Sequence, residues 1–230
     1  MPTSCCLWEK KQKVKIEIKD LSFRYSKKSP RVLENLSYIF EGGNIYFLKG
    51  KNGVGKTTLG KTIMGLLKPT SGYISFDGED SSKIKPADRA KKIGYMFQNP
   101  ALQLFAPTVF DELAFPFEIM GTMDEHIMDN IQKALKKFNL YEAKDRSPLT
   151  MSYGEMQRLA LAGISLRNVD FLILDEPSSA LDEEGRNFLI SYLEDFSRNG
   201  GGVILFSHDE DTLSKINGVI EIVLDNGSIR

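Results

Sequence analysis

The spacing of apolar and polar residues changes along the chain, and each spacing predicts an element. Residues 14–19 alternate, with Val14, Ile16 and Ile18 separated by charged side chains, as in an edge or half-buried strand. Residues 36–40 and 73–76 are further strand candidates, and the apolar runs at 45–48 and 93–97 read as buried strands. A helix is expected from Thr58 toward Leu66, closed by Gly65 and then Lys68 and Pro69. From 109 to 140 no strand pattern is convincing. Asp124 can cap a helix carrying Ile127, Ile131, Ala134, Leu135 and Phe138 at helical spacing, and Ser152 can cap another through Met156, Leu159, Ala160, Gly163 and Leu166. After Asn168 strands return. Residues 171–174 are wholly apolar, as a central parallel strand requires. A helix from 183 to about 196 follows, then a buried strand at 203–206. Residues 219–230 read as a closing hairpin turning at Asp225, Asn226 and Gly227. The order predicts an α/β domain with a helical insertion.

Between the apolar run 45–48 and the helix lies the segment 50–58, with the spacing Gly-x-x-x-x-Gly-Lys-Thr. Strand, glycine loop and helix form the context of a phosphate-binding loop. Glycines let the backbone turn with its N–H groups inward, and the helix start adds positive potential at the same point. The ATP-binding candidates here are Asn52, Gly53, Gly55, Lys56, Thr57 and Thr58. Lys56 can reach the β- and γ-phosphates, and the Thr57 hydroxyl can ligate Mg²⁺.

A phosphate loop needs a metal partner. Asp175 follows the apolar strand 171–174, so its carboxylate emerges at a strand C-terminus, where ligands bind in open α/β sheets. It suits Mg²⁺, held directly or through water. Glu176 comes next and points another way, leaving it free to polarise water.

Composition narrows the setting. The chain has 230 residues and is 41% hydrophobic, enough for one large domain or two small ones. A formal net charge of −1 provides no electrostatic footprint for nucleic acid. No apolar run is long enough to span a membrane, and residues 1–12 lack the apolar core of a signal peptide. A soluble cytoplasmic chain is expected, touching a membrane only through a partner. Cys5 and Cys6, the only cysteines, read as part of a loose tail rather than a disulfide framework.

With these residues in place, the chain resembles the ATP-binding cassette ATPases over nearly its whole length, with the elements in the family's order. The resemblance implies a P-loop NTPase core with a mainly parallel sheet, an antiparallel β subdomain near the N-terminus and an inserted helical subdomain. It implies one nucleotide-binding domain over 1–230, with 12–97 and 168–230 as catalytic core and 98–167 as helical subdomain. Tyr25 resembles the aromatic residue that stacks on adenine. Gln98 resembles the glutamine that meets Mg²⁺ and the attacking water, and His208 the switch histidine at the γ-phosphate. Residues 151–158 resemble the signature motif, with Ser152, Gly154 and Glu155 expected to serve the partner's nucleotide. Residues 178–182, ending at Asp182, resemble the loop that crosses a dimer interface. Tyr153 departs from the family, which usually has glycine there. If that position needs positive φ, tyrosine is costly; if not, its ring can pack on the partner surface.

The segment 96–115 looks like that of ATPases in energy-coupling factor importers for vitamins, cobalt or nickel. This implies an ATP- and Mg²⁺-dependent ATPase on the cytoplasmic face of the cell membrane, acting as a head-to-tail dimer. Its partners would be a second cassette ATPase, identical or paralogous, a transmembrane coupling subunit and a substrate-binding membrane subunit, with no nucleic acid. Leu104, Phe105 and Val109 are expected to form a groove for a partner's helix. The alternatives are a soluble cassette ATPase in cofactor assembly, another transporter class, or a non-catalytic ATP-binding regulator, against which Glu176 and His208 argue.

Overall fold

The computed structural model describes residues 14–229; Cys5, Cys6 and Arg230 lie outside them. In chain order the elements are β1 (Lys15–Phe23), β2 (Leu33–Glu41), β3 (Ile45–Lys49), α1 (Lys56–Ile63), β4 (Ser71–Phe76), β5 (Glu79–Asp80), α2 (Pro86–Arg89) and β6 (Ile93–Met96). Then come α3 (Val109–Met120), α4 (Glu125–Lys137), α5 (Tyr153–Ser165), β7 (Phe171–Asp175), α6 (Glu183–Arg198), β8 (Gly202–Phe206), α7 (Glu210–Ser214), β9 (Val219–Asp225) and β10 (Ser228–Ile229).

Two sheets face each other. The smaller is antiparallel, in the order β2-β1-β4-β5; the larger runs β10-β9-β3-β8-β7-β6. All neighbouring pairs from β9 to β6 are parallel, and only the β9–β10 hairpin is antiparallel. The fold class expected from the sequence is the one observed. The inner strands β3, β8, β7 and β6 are almost wholly buried because both faces are covered, whereas β9 exposes Ile220, Glu221 and Val223. Alternation divides them: Leu172, Leu174, Val203 and Leu205 join the core beneath the helices, whereas Ile173, Ile204 and Phe206 join the core against the antiparallel sheet.

Element bounds depart from the periodicity where the backbone is irregular. β1 continues past Lys19 to Phe23 with register shifts after Ile18 and Leu21, and Asp20 has φ 49°. β2 begins at Leu33, before Asn35 at φ 45°. Such bulges break the two-residue rhythm, so the sequence signal covers only the regular part of each strand. Gly72 is tied to the same irregularity: at φ 75° its absent Cβ would lie 2.3 Å from the Asp20 carbonyl oxygen. α1 starts two residues before Thr58 and ends at Ile63, ahead of Gly65.

The helices α3, α4 and α5 lie between β6 and β7 and pack on one another. Asp124 caps α4 by accepting from the Ile127 N–H at 2.7 Å, and α4 buries Ile131, Ala134 and Leu135. Thr108 caps α3 in the same way through the Asp111 N–H. One expectation fails here. Leu104, Phe105 and Val109 do not form one groove: Leu104 and Val109 are buried in the core beneath the helices, Leu104 lining only a small cleft of about 140 Å³, while Phe105 is 63% exposed. Adjacent residues in an extended segment face opposite ways, and apolarity alone does not say which one faces in.

Candidate functional site

The site begins where β3 ends. Gly53 (φ 79°) and Gly55 (φ 115°) turn the chain through conformations that favour glycine. At Gly55 a Cβ would also come within 3.1 Å of the Val32 and Leu33 side chains. Gly55 is the N-cap of α1, with no side-chain cap and no acidic residue in the first turn. An uncapped helix start keeps backbone donors available to an anion.

Lys56 is buried, and its Nζ donates to the Gly50 carbonyl at 2.6 Å and the Lys51 carbonyl at 3.4 Å. Burial lowers its pKa, opposed by the Glu176 and Asp175 carboxylates. The Thr57 hydroxyl donates to Asp175 Oδ2 at 2.6 Å. Asp175, at the end of β7, is 3% exposed. Burial raises its pKa and the neighbouring Glu176 adds to this, while the Thr57 hydrogen bond and Lys56 pull it down.

Glu176 is held from several directions. Its backbone has φ 51°, an uncommon conformation for this residue type. Its N–H donates to the Phe206 carbonyl at 2.7 Å, and its own carbonyl accepts from the Ser179 hydroxyl at 3.1 Å and Gln157 Nε2 at 3.4 Å. Its carboxylate accepts from the Ser207 hydroxyl at 3.2 Å and the His208 N–H at 3.3 Å, and lies 3.4 Å from His208 Nε2. Tyr25 reaches over from the end of β1. Its hydroxyl is 3.0 Å from the Thr58 hydroxyl and its ring stands edge-on to Phe23.

Tyr25, Asn52, Gly53, Gly55, Lys56, Thr57, Thr58, Gln98, Asp175, Glu176 and His208 all line one cavity of about 430 Å³. Segments far apart in sequence therefore converge on one polar volume. Ser152, Gly154, Glu155 and Asp182 are not among the lining residues. Ser152 caps α5 in a reciprocal box: its hydroxyl accepts from the Glu155 N–H, and the Glu155 carboxylate accepts from the Ser152 N–H at 2.7 Å. Asp182 caps α6 through the Gly185 N–H at 2.8 Å. Tyr153 is helical and lacks positive φ, and its hydroxyl donates to the Gln98 carbonyl of its own chain.

Three participants escaped the sequence reading. Ser207 had the signal of adjacency to His208. Val32, which lines the cavity from the turn before β2, had none. Gln157, fully buried behind Glu176, lay within the signature-like segment 151–158, but nothing local linked it to Glu176.

A family model for the ABC transporter matches residues 33–179. The chain belongs to the ABC transporter ATPase family. The energy-coupling factor transporter ATP-binding protein of Thermotoga maritima is 38% identical over 216 residues, spanning 94% of this chain and 80% of its own length. That of Streptococcus thermophilus is also 38% identical, over 93% of this chain and 78% of its own length. Among solved structures, cbiO1 from Clostridium perfringens, part of the ABC transporter complex cbiONQ, superposes with a TM-score of 0.79. It is 29% identical, over 94% of this chain and 86% of that one.

This ABC ATPase therefore binds and hydrolyses ATP as its family does. Among the described residues, no helix is long and apolar enough to cross a membrane. Nor does any group of three or more His, Cys, Asp or Glu side chains among them form a metal cage. Thr57 and Asp175 nonetheless suit Mg²⁺, which binds through one or two protein oxygens and takes its other ligands from phosphates and water.

Proposed function

We propose that this ATPase powers an energy-coupling factor importer for a vitamin or transition metal. It acts at the cytoplasmic face of the cell membrane in a head-to-tail dimer with an identical or paralogous chain. A transmembrane coupling subunit and a substrate-binding membrane subunit complete the complex. The observation that carries the importer reading is the similarity, over more than nine-tenths of this chain, to relatives named for that transporter class. Residues 12–97 and 168–230 serve as the catalytic core and 98–167 as the helical subdomain.

Tyr25 stacks on the base, and the 50–58 loop holds the phosphates through backbone N–H groups. Lys56 exchanges the Gly50 and Lys51 carbonyls for phosphate oxygens, a favourable exchange for a buried ammonium. Thr57 and Asp175, with Gln98 nearby, would hold Mg²⁺, which when bound neutralises charge on the phosphate oxygens. Glu176 polarises the attacking water, and His208 contacts the γ-phosphate. Ser152, Gly154 and Glu155 serve the partner's nucleotide, consistent with their exclusion from the cavity of their own chain. The cap leaves the Ser152 hydroxyl proton available to donate.

Membrane coupling runs through the loop after Gln98. Leu102 is 75% exposed and Phe105 63%, and Glu112 holds the loop by accepting from the Phe105 and Ala106 N–H groups at 2.9 and 2.8 Å. The Phe105 ring stands edge-on to Phe115. Phe105→Glu is expected to leave the melting temperature unchanged and abolish co-purification with a multi-span membrane subunit. Leu104→Glu, which buries a charge, should instead unfold the helical region. Wild-type co-purification by a folded Phe105→Glu protein counts against docking here. Failure of the wild-type chain to capture a membrane subunit favours the soluble reading.

A further inference from the structure

Tyr153 and Gln157 stand one helical turn apart on α5 and therefore share a face. Each donates to a main-chain carbonyl outside the helix. The Tyr153 hydroxyl bonds the carbonyl of Gln98, just beyond β6, and Gln157 Nε2 bonds the carbonyl of Glu176, just beyond β7. Gln98 and Glu176 both line the phosphate cavity, and α5 grips both from behind.

We propose that Tyr153 and Gln157 are positioning residues for ATP hydrolysis. Resting on the roles assigned above to Gln98 and Glu176, they set the peptide planes from which those two side chains reach the nucleotide. A fixed carbonyl fixes the plane of its peptide, and with it the direction in which the adjoining Cα presents its side chain. The need is greatest at Glu176, whose φ of 51° must be held by its surroundings. Gln157 is suited to hold it, being fully buried and unable to turn to solvent. Tyr153 does by reach what a smaller residue at the start of α5 cannot. Because α5 begins at the Ser152 cap, the helix that presents the signature residues also orients the water-handling residues of its own chain.

Steady-state ATPase kinetics test this with Tyr153→Phe, which removes one hydroxyl and keeps the ring, and with Gln157→Leu. Loss of one positioning hydrogen bond is expected to lower kcat by about two- to tenfold. KM for ATP should stay nearly constant and Tyr153→Phe should melt as the wild type does. A merely structural role would shift melting and spare kcat. In a Gln98→Ala background, Tyr153→Phe should add no further loss, because its effect runs through Gln98. Wild-type kcat in Tyr153→Phe, or an undiminished loss in the Gln98→Ala background, overturns the tether. Wild-type turnover in Gln98→Ala alone overturns instead the role assigned to Gln98. Wild-type kcat in a folded Gln157→Leu removes the Glu176 half, and Tyr153→Phe decides the proposal if that variant does not fold.

Discussion

Two helix starts in this molecule solve the same physical problem in opposite ways. Both α1 and α5 leave N–H groups without intrahelical partners, and both carry the positive end of a helix dipole. α1 begins at Gly55, with no side-chain cap and no acid in its first turn, and opens into the polar cavity. α5 begins at Ser152, whose cap and whose Glu155 supply an internal anion. The Ser152 N–H hydrogen bond is the main reason the Glu155 carboxyl is held below its ordinary pKa. The contrast teaches that a helix start becomes a phosphate site when the chain withholds its own cap. A capped start can meet an anion only through the donors its cap leaves over.

Lys56→Ala attacks the open end and should have the largest effect. It removes the one ammonium that the cavity holds against both carboxylates. ATP affinity should fall at least about a hundredfold, and hydrolysis should be lost. Near-normal affinity in a calorimetric titration would break the comparison at its stronger side. Glu176→Gln leaves the phosphate loop intact, so ATP binding should persist while turnover falls on the order of 10²–10⁴. The variant should accumulate as an ATP-bound dimer on size-exclusion chromatography, and unchanged turnover would remove Glu176 as the base.

The capped end is tested by mixing chains. Lys56→Ala and Ser152→Arg, each inactive alone, should regain partial ATPase activity together, because one site of the mixed dimer keeps both halves. No recovery despite proven mixed dimers would count against action in trans. The smallest effect belongs to Glu155→Ala, which removes half of the capping box. The expected cost is about 1 kcal/mol, a drop of roughly 2–4 °C in melting temperature. The sign with pH follows from a depressed folded-state pKa. The stabilisation is fully present above the ordinary glutamate range and is lost as pH falls through the lowered value. The gap between variant and wild type should therefore close in acid, and a gap that persists there would show that Glu155 acts by packing.

Much of the site was legible because its signals are local. The glycine spacing of 50–58, the apolar run ending at Asp175 and Glu176, and the Asp124 and Ser152 caps each depend on residues within a turn or a strand of one another. The apolar loop after Gln98 was legible only as apolar. Whether Leu104 or Phe105 faces the core depends on what packs behind the loop, namely α3 and α5, and no local pattern encodes that. The bulges in β1 and β2 were hidden for a related reason. Asp20 and Asn35 tolerate left-handed backbone, but that tolerance becomes a bulge only when a neighbouring strand fixes the register.

The sequence by itself determined the phosphate loop, the acidic pair Asp175 and Glu176 at a strand end and the order of the main strands and helices, α3 excepted. These rest on backbone conformation and on periodicity, which residue types govern directly. Tertiary structure alone decided that Tyr25, Gln98, Glu176 and His208 meet Lys56 in one cavity, that Glu176 is locked by Ser207 and Gln157, and that Tyr153 reaches Gln98. Those contacts join different strand ends to one another and to α5. Their geometry is set by how parallel strands stack and how α5 packs across them, and a one-dimensional pattern carries no such distance.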